Sequence, residues 1–138
     1  MASITTDILI DAPADVVWDA LRDFGRVHER LVPGFVTQGD VDADGTRLVT
    51  FFNGARAREV LIGVDDGTRR IAYSVVDGVL GCTHHNAAAQ VFPADGGTSR
   101  FVWITDVLPD PAAAFIEPLM QQGTTVIKRT MEGLAVRS

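Results

Sequence analysis

Glu59, Tyr73 and His85 have side chains suited to proton transfer, and short turns can bring them together in this 138-residue chain. A turn at Asp66-Gly67 sets the Glu59 region opposite Tyr73 and Ser74, and the next hairpin sets Val75 near His85. A carboxyl in an apolar pocket keeps its proton to higher pH, because burial disfavours the charge. An imidazole titrates near neutrality, so both groups can give and take protons. The grouping depends on register, since a one-residue bulge swaps the faces of a strand. A second placement is open for Glu59: a surface pair across the strands with Arg47, Arg56 or Arg58.

Other chemistries fit less well. His84 and His85 are adjacent, so on a strand they point to opposite faces. Cys82 and His84 can share a face but give two ligands where zinc takes three or four. His28 is distant and has no HExxH partner. Asp40, Asp42, Asp44 and Gly45 match the first half of a calcium loop, but its twelfth position is Phe51 instead of glutamate. An acidic hairpin turn is expected there, and no metal or cofactor. There is no GxSxG elbow. Cys82 reads as a small hydrophobe, and Lys128, the only lysine, as one half of a helical pair with Glu132.

The elements that must position these groups follow from periodicity. Residues 3–10 alternate as a strand. Residues 11–25 read as a helix with Val16, Val17, Ala20, Leu21 and Phe24 on one face, Asp11 and Pro13 at its start and Gly25 at its end. A short helix over 26–32 stops at Pro33-Gly34. Strands are expected at 35–41, 46–53, 56–64, 69–77, 84–92 and 99–107, separated by Gly- and Asp-rich turns. After Pro109, Ile116, Leu119, Met120, Gly123, Ile127, Met131 and Leu134 share a helical face, with Pro118 marking a kink or the true start. The expected fold is α+β: a seven-stranded antiparallel sheet curved around one long C-terminal helix, all within one domain spanning 1–138.

The formal net charge of -6 disfavours nucleic acid and anionic lipid, which are bound through clustered Lys and Arg. No apolar run approaches the ~18 residues of a membrane span. The N-terminus lacks the basic and apolar regions of a signal peptide, and the single Cys82 allows no intrachain disulfide. A cytoplasmic monomer or homodimer with a small-molecule partner is expected.

The stretches IDAPADVVWDALRDFG, AREVLIGVDDGTRRIAYSVVDG, HHNAAAQV, FVWITDVLPD and MQQGTTVIKRTMEGLA span nearly the whole chain. In them the sequence resembles the START/Bet v1-like superfamily of helix-grip proteins, and within it the bacterial polyketide cyclase/dehydrase-type branch. The resemblance implies a hydrophobic cavity between sheet and helix, opening near the strand hairpins and the first part of the last helix. Members bind lipids, hormones, pigments or polyketides, and only some are catalysts. In related plant hormone receptors the positions matched by Glu59, Tyr73 and His85 face the cavity. Their gate and latch loops are replaced here by FNGARA and DGVLGC, and their cavity lysine has no match.

The expected ligand-binding residues are Glu59, Leu61, Tyr73, Val75, His85, Ala87, Ala89, Phe101, Trp103, Leu119, Met120, Gly123 and Ile127, with Gln90 a further polar anchor. Ala87, Ala88 and Ala89 keep both strand faces low, and Gly123 does the same on the helix at a cost of ~1 kcal/mol against alanine. Unfilled core space destabilises, so a ligand is expected to occupy it. The alternative is that Phe101, Trp103, Phe115 and Met120 fill the gaps. Three functions follow. The chain binds a small, mostly apolar lipid-, aromatic- or polyketide-like molecule. Or it is a polyketide aromatase/cyclase or dehydratase using Glu59, Tyr73 and His85, with Arg56, Arg58, Arg69 and Arg70 docking an acyl carrier. Or it is a protein-interaction or stress-response module whose cavity is vestigial.

Overall fold

The computed structural model describes residues 2–78 and 81–137. Strand β1 (Ala2–Ile10) leads into helix α1 (Ala14–Arg22), a single 3-10 turn (Phe24–Arg26) and helix α2 (Val27–Arg30). Six strands follow: β2 (Val36–Val41), β3 (Arg47–Phe51), β4 (Arg56–Asp65), β5 (Arg70–Asp77), β6 (His84–Pro93) and β7 (Ser99–Leu108). Helix α3 (Ala113–Arg137) closes the order. The strands form one antiparallel sheet in the order β1-β7-β6-β5-β4-β3-β2, with the long helix gripped by it. The expected architecture is therefore found, and the six strands after α2 begin and end within two residues of their expected limits.

Two boundaries differ. Helix α1 begins at Ala14, one residue after Pro13, and the Pro13 carbonyl accepts from the Val16 and Val17 N–H groups. Asp11 does not cap it; its own N–H donates to the Glu132 carboxylate on α3. The helix also stops at Arg22 rather than Gly25, where the chain tightens into the 3-10 turn. Pro118 lies inside α3 as its sixth residue, so the Ala114 carbonyl lacks the backbone donor that position 118 would otherwise supply.

The sheet's concave face carries the core. Strand alternation sends Val49, Ala57, Ile71, Ala89, Val91 and Phe101 inward, each at most 7% exposed. Helix α1 adds Val17, Trp18 and Leu21, and α3 adds Ile127 and Met131. A smaller cluster of Ile4, Val107, Ala112, Ile116 and Met120 joins the start of α3 to β1 and β7, and Trp103 packs against both clusters. Polar staples hold the helices on the sheet. Lys128 Nζ donates to the Leu9 carbonyl and to Glu132, and Trp18 Nε1 donates to Asp66 Oδ1 at 2.9 Å. The acidic stretch at 40–45 is the β2–β3 hairpin turn, in which Asp42 Oδ1 accepts from the Asp44 and Thr46 N–H groups.

Candidate ligand cavity

A cavity of about 470 Å³ lies between the concave sheet face and α3. Its walls are mainly apolar: Val49, Phe51, Ile71, Val75 and Phe101 from the sheet, Phe35 from the segment before β2, and Ile116, Leu119, Met120 and Ile127 from α3. The lining residues that are also exposed mark its mouth. They are Asn53 and Arg56 at the β3–β4 hairpin, Val76 and Gly78 after β5, and Phe115 and Pro118 at the start of α3.

The polar part of the wall centres on β3, β4 and β5. Arg47 and Glu59 are paired across β3 and β4, and both are buried. Arg47 Nε donates to Glu59 Oε1 at 2.8 Å, and a second guanidinium nitrogen stands 2.5 Å from the same oxygen. Arg47 also donates to the Phe24 carbonyl at 3.1 Å and lies over the Phe24 ring, 3.9 Å from its centroid, and 5.1 Å from that of Tyr73. Charge, hydrogen bonds and ring faces together satisfy a guanidinium that burial alone would penalise.

Tyr73 and His85 complete this wall. Burial pushes the Tyr73 phenol far above its ordinary value, and the Glu59 charge adds to the rise while Arg47 opposes it. The phenol therefore keeps its proton. Burial lowers the His85 imidazole below its usual range, with Glu59 opposing and His84 assisting. His85 is therefore neutral at pH 7. The Glu59 charge acts on both groups, so the three share one electrostatic neighbourhood. The Trp103 indole N–H is buried without a hydrogen-bond partner.

Ten of the thirteen expected residues line the cavity: Glu59, Tyr73, Val75, His85, Ala89, Phe101, Trp103, Leu119, Met120 and Ile127. Leu61, Ala87 and Gly123 do not. Leu61 is exposed, because β4 outruns its cover and is exposed from Leu61 to Asp65 on both faces. A bulge between Leu61 and Gly63 also breaks the alternation there. Ala87 is buried on the inner face, but its neighbours across the sheet, Tyr73 and Thr105, supply the wall. Gly123 leaves no open space: a Cβ there would stand 3.2 Å from Phe35 Cε2 and 3.4 Å from Trp103 Cζ3. Gln90 faces outward and donates to the Thr68 carbonyl.

Residues 1–137 match the profile of the family described as polyketide cyclase / dehydrase and lipid transport. The chain belongs to that family. No curated protein sequence matches it. Among solved structures it is similar to the protein XoxI from Bacillus cereus, at 20% identity and TM-score 0.85 over 97% of this chain and 98% of that one. An uncharacterised protein from Bacillus thuringiensis gives 18% identity and TM-score 0.84 over 94% and 98% of the two chains. Norcoclaurine synthase from Thalictrum flavum, solved in complex with dopamine and hydroxybenzaldehyde, gives 21% identity and TM-score 0.76 over 99% and 87%. At these identities the likeness is one of fold.

In this member of the polyketide cyclase/dehydrase and lipid transport family, the four arginines considered as a docking patch do not assemble. Arg58 pairs with Asp42, and Arg69 pairs with Asp15 on α1. Arg70 borders a groove on the outer sheet face, and Arg56 alone stands at the cavity mouth. Nine residue steps along β4 lead from Arg56 to Asp65, so the two ends of the β4–β5 hairpin lie about 30 Å apart. Arg47 is the site residue that the sequence reading passed over, treating it only as a surface partner. Its signal was present: Arg47, Val49 and Phe51 alternate on one face of β3. Phe35 and Thr105 also line the cavity without having been singled out.

Proposed function

We propose that the chain binds a small, mostly apolar molecule, lipid-, aromatic- or polyketide-like, in the cavity between the sheet and α3. The observation that carries this reading is the cavity itself, about 470 Å³ of space behind largely apolar walls. Space of that size in a core forfeits packing and destabilises the fold unless something occupies it. Apolar walls with a few convergent polar groups are the usual make-up of a small-molecule site. The norcoclaurine synthase of like fold, which was solved with two small aromatic molecules, supports an aromatic ligand. Binding in a cytoplasmic setting remains part of this proposal.

A second reading is catalysis of a cyclisation or dehydration by proton transfer. The convergence of Glu59, Tyr73 and His85 on one wall favours it. In that reading the neutral His85 takes a proton and Tyr73, which stays protonated, donates a hydrogen bond to a developing oxyanion. Glu59 is tied to Arg47, so the isolated carboxyl that would serve as a proton shuttle is not what the wall presents.

Native mass spectrometry of the purified protein, followed by release and identification of any bound molecule, tests the binding reading. A stoichiometric apolar passenger is the expected result. A clean apo mass, together with no thermal shift from apolar aromatic probes, would sink it. Turnover of the identified molecule, lost in His85→Gln, would move the assignment to the enzyme.

A further inference from the structure

The wall polar groups restrict which molecule fits, and this restriction rests on the ligand-binding reading above. Among the described residues the inner cavity holds one cation and one anion, Arg47 and Glu59, already neutralising each other at 2.5–2.8 Å. His85 is neutral there and Tyr73 stays protonated. Lys128 is engaged at the surface with Leu9 and Glu132, and Arg56 is at the mouth. Among the described residues, then, no spare counter-charge faces the inner end. A ligand carboxylate placed there meets Glu59 with no free cation, and a ligand ammonium meets the Arg47 guanidinium beside a carboxylate whose charge Arg47 already offsets. Burying a charge without a partner is strongly unfavourable.

Hydrogen-bonding capacity is nevertheless left over. Arg47 uses Glu59 Oε1 and leaves Oε2 as an acceptor. The Tyr73 O–H has a proton to give. On the sheet, Glu59 pairs with Val75, and Leu61, two residues on, pairs with Tyr73, so Glu59 and Tyr73 are diagonal neighbours on one face. Diagonal neighbours stand ~7–8 Å apart at their backbones, within reach of one ligand group between long side chains.

We infer that the inner end of the cavity selects an uncharged, hydroxyl-bearing apolar molecule, whose hydroxyl donates to Glu59 Oε2 and accepts from the Tyr73 O–H. A hydroxyl is the smallest group that does both. A bare hydrocarbon leaves the wall's acceptor and donor unpaired once water is displaced.

The test is a matched series on one ring system, measured by calorimetry at pH 7: 2-naphthol, naphthalene, 2-naphthoate and 2-(aminomethyl)naphthalene. Because Arg56 can hold a carboxylate at the mouth, the series is run on the native sequence and on Arg56→Gln. The expected result in Arg56→Gln is 2-naphthol binding about ten-fold or more tighter than the other three, as a hydrogen bond to a charged group warrants. Tyr73→Phe should weaken 2-naphthol about five-fold or more and leave naphthalene within about two-fold. A carboxylate or ammonium probe binding Arg56→Gln as tightly as 2-naphthol overturns the inference. So does Tyr73→Phe weakening 2-naphthol and naphthalene alike. Equal binding by all four overturns this inference alone and leaves the cavity reading standing. No binding by any of them overturns both.

Discussion

Arg47 and Glu59 meet inside the cavity wall, 2.8 Å from Nε to Oε1, with less than a tenth of either side chain exposed. Breaking such a pair from one side leaves an uncompensated buried charge, which costs about 3–5 kcal/mol. Replacing both partners by apolar residues of like volume is often neutral or stabilising. Arg47→Met is therefore expected to lower the urea midpoint sharply, and Arg47→Met with Glu59→Met to recover most of the loss. If the double variant is no more stable than the single, the pair is not the source of the loss.

Stability should fall as pH drops below neutrality, and His85 should account for part of the fall. Burial lowers its folded pKa beneath the ordinary value of about 6.5. Between the two values the unfolded chain binds the extra proton and the fold does not. Stability is thus fully present above about 6.5 and is lost as pH falls toward the folded value. Thermal midpoints at pH 7.5, 6.5 and 5.5 check this, with a shallower slope expected in His85→Gln. Asp7, Asp66 and Glu132, whose pKa values are lowered by their partners, add their own loss only in the more acidic carboxylate range.

Ala89 lines the cavity and is 3% exposed, between Ile71 and Trp103 on the neighbouring strands. Ala89→Leu places its added atoms in existing space. Stability measured by chemical denaturation is expected to stay within about 1 kcal/mol of the native sequence. Probe binding is expected to fall at least ten-fold, about 1.4 kcal/mol. Retained affinity would show that the ligand does not lie against β6.

Gly123 is set by the rings that face it. Alanine gains roughly 1 kcal/mol of helix propensity there. Phe35, at 3.2 Å from the new methyl, must yield by a few tenths of an ångström, and the cavity it lines gives it room. Gly123→Ala is expected to change stability by less than about 1 kcal/mol. Gly123→Leu must displace both Phe35 and Trp103 and is expected to cost about 2–3 kcal/mol. Equal thermal midpoints for the two variants would contradict this packing.

The sheet was legible because its turns are chemically marked and its strands alternate between them. The Glu59 question shows where legibility stops. Sequence offered an inward carboxylate or a surface cross-strand pair with arginine as rivals, and the molecule has the inward carboxylate with its cross-strand arginine buried beside it. Arg47 was hard to place because β3 carries apolar residues on both faces, Val49 inward and Leu48 outward, so alternation names two faces without saying which is covered. Leu61 failed for a related reason: the end of β4 extends past its cover, and nothing local in the sequence says where cover ends. Gly123 failed because an empty position and a filled one differ only in a remote partner, here Phe35.

The pairing of β1 with β7, from Ala2 opposite Val107 to Ile10 opposite Ser99, has a consequence for synthesis. The first strand made has no partner until the last strand emerges, a wait of roughly 5–20 s at ordinary translation rates. Until then Ile4 and Ile10, buried in the finished sheet, have no mate across the ladder. Such distant pairing slows folding and lengthens exposure to aggregation. Phe101, Trp103, Thr105 and all of α3 also arrive last, so the chamber does not exist on the growing chain. Its occupant can enter a completed molecule, but it cannot guide the folding of a nascent one.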